Sequence, residues 1–243
     1  MRCFYSLVLT MLLSAATVSA QPTFRLGVRG GLNRATSTAE PGSTSPSSQY
    51  YYSASKSAIY AWQAGAVLEI AFRHFALQPA LVFSQKGEQF NATTFTSGFA
   101  GVSSTETSSV NRYNWLELPA NVVYTLHSFQ VFAGPYVALG VGGRQRGTST
   151  NTYSAGILGF QSYDFDRKTR YGSDTENRQI DAGFNFGLGY RKGPLQVQVG
   201  YGLGLRNLHQ IDPDYTVDSI HNFGEDAAYN RMVQLTGTYF FDL

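Results

Sequence analysis

The sequence has little of several things that most proteins use. Its one cysteine, Cys3, has no partner for an internal disulfide, and no thiol cluster is present to hold a metal. No run of roughly 20 apolar residues occurs, so a membrane could be crossed only by strands. Charged residues make up 14% of the chain, against about 25% in ordinary soluble proteins. The net charge of +2 is scattered, which argues against nucleic-acid binding.

The first 20 residues have the pattern of an export signal. Arg2 supplies the charge, residues 7–13 form a short apolar stretch, and Val18, Ser19 and Ala20 form a small-residue cleavage site. We therefore expect residues 1–20 to be a signal peptide that is removed and residues 21–243 to form one domain. Because Cys3 lies within this signal, the mature chain is expected to have neither a disulfide nor a lipid-accepting cysteine.

What the chain does have is alternation. Between residues 180 and 190 apolar side chains occupy the even positions, and between 195 and 205 they occupy the odd positions, with glycine and polar residues between them. A period of two is typical of strands with one apolar face. Combined with 25 glycines and 14% aromatic residues, it indicates a β-barrel whose outer face meets lipid.

Eight strands and seven connections can be placed on this pattern. The fold class is therefore predicted as all-β, an eight-stranded antiparallel up-and-down transmembrane β-barrel. Short turns at 73–74, 127–128 and 192–194 would be periplasmic, and long loops at 35–59, 90–111, 144–178 and 208–228 would be extracellular. The predicted strands are 24–34, 60–72, 75–89, 112–126, 129–143, 179–191, 195–207 and 229–241.

Aromatic residues collect near both ends of the predicted strands, as the two interfacial girdles of a membrane barrel would. Proline at Pro79, Pro119 and Pro135 interrupts predicted central strands, where we expect local bulges. The short-turn girdle would contain Phe24, Phe72, Phe75, Tyr124, Phe129, Tyr190, Tyr239 and Phe241, and the loop girdle Tyr60, Trp62, Tyr113, Trp115 and Tyr229.

The positions that alternate with the apolar ones carry charges of both signs. Eight strands enclose a space that side chains fill, so no open pore is expected and the charges should pair with one another. This is a structural network, with no catalytic, cofactor or metal site assigned. Its predicted members are Arg25, Arg29, Glu69, Lys86, Glu117, Asp181, Arg191 and Arg206.

Several segments together resemble one family. The opening strand at 26–33 (LGVRGGLN), the hairpin at 77–87 (LQPALVFSQKG), the segment 115–119 (WLELP) and the segment 132–136 (FAGPY) are similar to the corresponding stretches of PorT-like outer-membrane β-barrel proteins, common in bacteria of the Bacteroidetes type. The resemblance implies an eight-stranded outer-membrane barrel. It also implies a link to a protein-secretion apparatus, since founding members of the family have one.

Two other interpretations stay open at this point. A lipid-modifying barrel enzyme could pair His209 or His221 with a loop serine and Asp218, and a soluble lipocalin-like barrel would enclose a ligand. Loop acids at Asp212, Asp214, Asp218, Glu225 and Asp226 lack the spacing of a calcium loop.

The interpretation we favour is a monomer in the outer membrane that is not an enzyme and uses no cofactor. It would have a structural or interaction role, accessory to envelope transport or secretion. Its partners would be outer-membrane lipids, the outer-membrane insertion machinery and an envelope or secretion-apparatus protein.

Overall fold

The computed structural model describes residues 22–38, 49–99, 101–154, 158–172, 177–208 and 228–242. These residues form nine antiparallel strands. In this described part of the chain, no helix is long and apolar enough to cross a membrane. The strands are β1 (Thr23–Ser37), β2 (Tyr50–Ala71), β3 (Phe75–Gly98), β4 (Gly101–Leu126), β5 (Phe129–Ser154), β6 (Leu158–Lys168), β7 (Ile180–Lys192), β8 (Leu195–Gly204) and β9 (Asn230–Asp242).

Eight of these strands close into a ring. Each of β1, β2, β3, β4, β5, β7, β8 and β9 pairs with the next in that order. The ring closes where β9 returns to β1, from Arg25 opposite Asp242 to Ser37 opposite Asn230. The predicted eight-stranded antiparallel barrel is therefore confirmed.

The remaining strand, β6, lies outside the ring on the edge of β5. The first half of β5 pairs with β7, from Phe129 opposite Tyr190 to Leu139 opposite Ile180. Its second half pairs with β6, from Arg144 opposite Lys168 to Ser154 opposite Leu158. Strands β6 and β7 thus follow one another along the same edge of β5, with residues 169–179 between them.

A sheet of five strands extends beyond the barrel at the end opposite the short turns. It contains residues 50–58 of β2, the distal parts of β3, β4 and β5, and all of β6. The 26 residues of β4 compare with about 9–11 needed for a tilted crossing of the bilayer. Here the structure differs from the expected loops, because most of 90–111 and 144–168 is strand.

The physical reason lies in the composition of this projecting sheet. Its strands are rich in serine and threonine, and threonine favours extended backbone because it is branched at Cβ. Neither face lies against the hydrocarbon of the membrane, so the apolar alternation that marks the barrel strands is missing. Cross-strand hydroxyl contacts replace apolar packing, as between Thr107 Oγ1 and Ser149 Oγ at 3.2 Å.

The outer surface of the barrel is apolar, whereas the inner surface is mainly polar and includes small apolar clusters. On β8 the side chains of Leu195, Val197 and Val199 are about half exposed, whereas Gln196 and Gln198 are buried. Every ring strand shows this parity. The soluble lipocalin-like alternative is therefore wrong, because it requires the apolar side chains to point inward.

Aromatic side chains surround the short-turn end of the barrel. Phe75 stacks against Tyr124 with ring centroids 4.9 Å apart, and Phe129 meets Tyr190 at 5.6 Å. All eight residues predicted for this girdle are exposed. At the opposite end Trp115 and Tyr113 are exceptions to the predicted girdle. Trp115 is 1% exposed and faces the lumen, and Tyr113 packs on the same lumen side and lines the cavity there.

Bulges do not occur at the prolines, which corrects the prediction for Pro79, Pro119 and Pro135. The pairings on either side of each proline keep one register. A proline lacks only its own N–H, so it removes a single ladder bond without adding a residue to the strand.

The register shifts lie elsewhere. One separates Ala58 from Gln63 in β2, and the other separates Asn114 from Trp115 in the pairing of β4 with β5. At the second shift β5 contributes an extra residue beside Gly142, whose φ of 151° suits glycine. Both shifts lie where the barrel passes into the projecting sheet.

Two of the short turns depend on positive φ. His127 has φ 58° and Gly193 has φ 59°, each at the first position of a two-residue hairpin connection. Such turns match the twist of the flanking strands when their residues adopt positive φ. Glycine meets this requirement at Gly193, and a histidine meets it at His127.

The parity of β8 yields a test of the membrane assignment. We predict that Val199→Lys lowers the free energy of unfolding in lipid vesicles by about 2–4 kcal/mol, because it places a cation near the bilayer midplane. Urea unfolding followed by electrophoretic mobility measures this. Thr148→Lys, in the projecting sheet, is the control and should change stability by less than about 0.5 kcal/mol. Equal effects of the two substitutions would contradict the orientation.

Candidate functional site

The lumen holds the densest concentration of buried polar side chains in the described residues, and it is built in levels. Inward parity on eight strands brings them together although most are far apart in sequence. From the short-turn end upward, the levels are an arginine and carboxylate cluster, a glutamine layer, a single arginine, a lysine cluster and a small cavity at the mouth.

The lowest level is organised around Glu69, which is 1% exposed. Arg191 Nη1 lies 2.8 and 2.6 Å from its two carboxylate oxygens, and Arg25 Nη1 lies 3.1 Å from Oε1. Arg25 Nε also donates to Asp242 Oδ1 at 2.8 Å. Two cations therefore face two carboxylates, and this level is electrically neutral.

A layer of three glutamines lies directly above. Gln78 Nε2 donates to Glu69 Oε2 at 2.8 Å, and Gln196 Nε2 donates to Gln130 Oε1 at 2.7 Å. Gln78 and Gln196 are linked at 3.4 Å. Gln196 and Gln130 both donate and accept, whereas Gln78 donates to two partners, and the layer spans the lumen without adding charge.

Arg29 occupies the next level and is 8% exposed. Its Nε donates to Thr238 Oγ1 and its Nη2 to Gln198 Oε1, each at 3.1 Å. Among the described residues, no carboxylate lies within ion-pair distance of this guanidinium. Its positive charge is thus balanced only at longer range.

That balance is available in the lysine cluster above. Lys86 Nζ lies 2.8 Å from Glu117 Oε1 and 3.6 Å from Asp181 Oδ2. Asp181 Oδ2 also accepts hydrogen bonds from Tyr136 Oη at 3.1 Å and Asn230 Nδ2 at 2.7 Å. One cation faces two carboxylates, and the net charge of −1 offsets the +1 of Arg29.

The ring of Tyr136 also contributes to this cluster. Its centroid lies 4.7 Å from Lys86 Nζ, within range of a cation–π interaction. Trp115 covers the other side, with its ring centroid 6.0 Å from the same ammonium. The lysine is therefore enclosed by two carboxylates and two aromatic faces, which separates it from water.

The mouth of the lumen is closed by a side chain from the segment between β6 and β7. Tyr171 packs on Trp115 with ring centroids 5.5 Å apart and directly over Gly140, where a Cβ would come within 2.7 Å of the ring. A cavity of about 30 Å³ remains beside it, large enough for ordered water. Lys56 and Glu88 form a further ion pair of 3.7 Å at this level.

The structure gives most of the predicted lumen residues inward positions and contacts. Arg206 is the exception and requires a correction, because β8 ends at Gly204 and Arg206 lies exposed in the bend that follows. The sequence predicts a strand that continues to residue 207. The inward position of Arg206 follows only from that prediction, because strand pairing ends at Gly204. The other seven are Arg25, Arg29, Glu69, Lys86, Glu117, Asp181 and Arg191.

Sequence reasoning missed several members of the site. Lys56 and Glu88 lie at the mouth, Lys56 in a segment predicted to be a loop and Glu88 near the end of the strand predicted at 75–89. Asp242 was overlooked as a partner of Arg25. Inward parity alone would have identified Glu88, since it follows Lys86 by two residues. Tyr171 has no such signal, because it comes from an irregular segment.

The loop candidates for chemistry are not among the described residues of this network. His209 and His221, with the acids Asp212, Asp214, Asp218, Glu225 and Asp226, lie outside the described residues. His74 and His127 lie at the short-turn end of the barrel.

A closed ring of strands with an apolar outer face and a polar, filled lumen defines a transmembrane β-barrel. The family model for the outer membrane protein beta-barrel domain matches residues 19–210. The chain belongs to this family, and it is a protein of the outer membrane. No curated protein matches the sequence.

Similar solved structures include outer-membrane proteins of two bacterial genera. Neisserial surface protein A is 9% identical, with 89% of this chain and 97% of that chain covered and a TM-score of 0.33. OprG from Pseudomonas aeruginosa is 10% identical, with coverages of 92% and 99% and a TM-score of 0.29. An outer membrane channel from Pseudomonas putida F1 is 10% identical, with coverages of 90% and 96% and a TM-score of 0.29.

The lysine cluster provides a test of the lumen energetics. We predict that Lys86→Met lowers the free energy of unfolding by about 3–5 kcal/mol, because Glu117 and Asp181 lose their shared cation. Urea unfolding monitored by tryptophan fluorescence measures the change, with Trp115 beside the site. Adding Glu117→Gln and Asp181→Asn should recover part of the loss.

Lys192→Met, at an exposed position beside a short turn, is the matched control and should have little effect. A similar loss of unfolding free energy in Lys86→Met and Lys192→Met would show that the buried cluster does not depend on the charge of Lys86.

Proposed function

We propose that this protein is a closed outer-membrane barrel with a structural or interaction role and no catalytic centre. The observation that carries the proposal is the filled lumen. From Glu69 at one end to Tyr171 at the other, successive levels of bonded side chains occupy the interior. A solute would have to break several ion pairs to pass, which favours a role at the surfaces of the barrel rather than through it.

The projecting sheet supports an interaction role. It places five strands of mainly polar residues beyond the membrane, on the side opposite the short turns. Loops and extensions on a rigid scaffold are where binding residues concentrate. By the usual orientation of outer-membrane barrels, this sheet is extracellular and the short turns face the periplasm.

We further propose the finer assignments that the sequence suggested. The segments at 26–33, 77–87, 115–119 and 132–136 support a PorT-like barrel acting as an accessory to envelope transport or secretion. Residues 1–20 would be the cleaved signal, and the barrel would act as a monomer after insertion by the outer-membrane machinery. The lipid-modifying alternative rests on loop residues outside the described part of the chain.

Conductance measurement tests the closed lumen. We predict that the wild-type protein, incorporated into a planar bilayer, gives no steady single-channel current, because the buried ion pairs leave no continuous water path. Incorporation is verified by vesicle flotation. Current steps in the wild type whose ion selectivity changes in Glu69→Gln would contradict the proposal, whereas steps unaltered by that variant would indicate a contaminating porin.

Crosslinking from intact cells tests the interaction role. A photoreactive residue replaces Thr148 in the projecting sheet or Ser128 in a short turn. We predict that at least one of these positions captures an envelope protein that mass spectrometry identifies reproducibly. Val199, on the lipid-facing surface, is the matched control and should capture none. Absence of protein crosslinks from both test positions would contradict an accessory role.

A further inference from the structure

The outer face of the wall formed by β4, β5 and β6 carries a compact group of cations. Arg112, Arg144 and Lys168 lie directly opposite one another on the three neighbouring strands. Arg146 lies two residues beyond Arg144 and faces the same side. We name these four residues the outer basic patch. Like charges placed directly opposite on paired strands repel, so this row lowers the stability of the free protein.

The patch begins just beyond the lipid-facing band. Counted from the short turns toward the patch, the large exposed apolar residue nearest the patch is Leu116 on β4, four positions from Arg112, and Val141 on β5, three positions from Arg144. At about 3.3 Å per residue these are separations of roughly 10–13 Å along tilted strands. The cations therefore lie at the level of lipid headgroups rather than of hydrocarbon or open water.

Two carboxylates on β6 offset the patch only in part. Arg144 donates to both oxygens of Asp166 at 2.5 and 2.7 Å, and Arg146 donates to the same side chain at 3.1 Å. An aspartate is ionised at neutral pH, and the hydrogen bond from Arg144 lowers the pKa of Asp166 further. Asp164 accepts from Thr148 at 2.6 Å. Four cations thus face two anions, leaving a charge of +2.

The patch is also open to a ligand. The side chains of Arg144 and Arg146 are 54% and 62% exposed, and Lys168 is exposed. Arg112 Nη1 contacts only neutral groups, the backbone oxygen of Tyr60 and Oε1 of Gln85, each at 3.0 Å. Exposed arginine side chains whose positive charge is only partly neutralised are suited to bind phosphate oxygens, because the guanidinium can donate paired hydrogen bonds to them.

We propose that the outer basic patch binds the phosphate groups of a phosphorylated glycolipid in the outer leaflet. The positive charge of the patch complements the negative charge of phosphate. The position of the patch along the strands matches that of a lipid headgroup whose acyl chains lie against Leu116 and Val141. Binding would relieve the repulsion between Arg112, Arg144 and Lys168. Anionic lipids attract basic residues near a membrane surface by about 1 kcal/mol for each residue.

The test uses the folded protein in detergent micelles with lipid A carrying two, one or no phosphate groups. Binding is measured by native mass spectrometry, and folding of each variant is verified by its heat-dependent electrophoretic mobility. The patch variant is Arg144→Gln, Arg146→Gln and Lys168→Gln. The matched control, Arg73→Gln, Arg167→Gln and Lys192→Gln, removes the same charge from the short turns and the opposite face of β6.

We expect the wild type to bind bisphosphorylated lipid A at least about tenfold more tightly than the dephosphorylated form. The patch variant should lose this preference and the control should keep it. Equal binding of the two lipids by the wild type, or an equal loss in both variants, would overturn the proposal. Displacement of the lipid by millimolar inorganic phosphate would also overturn it, since the site would then bind a free anion.

Discussion

Backbone hydrogen bonding in hydrocarbon is the constraint on which this structure depends. An unpaired N–H or C=O in lipid costs several kcal/mol, so the pairing of β9 with β1 is required for the chain to reside in a membrane. Closure then determines the side-chain arrangement, because alternate residues of a paired strand must point in and out. Outward positions meet acyl chains and become apolar. Inward positions meet each other in a space too narrow for bulk water and become a bonded network.

Charge inside such a barrel must be balanced within a short distance, and the lumen meets this need level by level. The Glu69 cluster is neutral by itself. Arg29 is paired only with neutral groups, and the lysine cluster has one carboxylate in excess. The two unbalanced levels compensate one another along the barrel axis. Amide groups such as Gln78 separate charged levels without adding charge, which allows ion pairs of different composition to be stacked.

The sequence was sufficient for the ring and for most of the lumen because both follow from parity. Seven of the eight predicted lumen residues were reached by counting alternate positions, and the error at Arg206 arose where pairing ends. The projecting sheet was not predictable in this way, since strands that meet water on both faces have no apolar alternation. The expected bulges at prolines were wrong for a different reason. A missing N–H affects one hydrogen bond, whereas a bulge requires an extra residue, and glycine at Gly142 accommodates it.

The register shifts explain how one set of strands serves two environments. Within the bilayer, β4 and β5 belong to a closed ring, whereas beyond it they belong to an open sheet with β6 at one edge. The shift at Asn114 and Trp115 lies at this transition, and increased local twist is the usual consequence of a bulge. The departing segment between β6 and β7 then brings Tyr171 over the lumen. Strand β6 therefore extends the outer sheet because it pairs with β5 outside the ring, and the segment that follows β6 closes the mouth of the barrel.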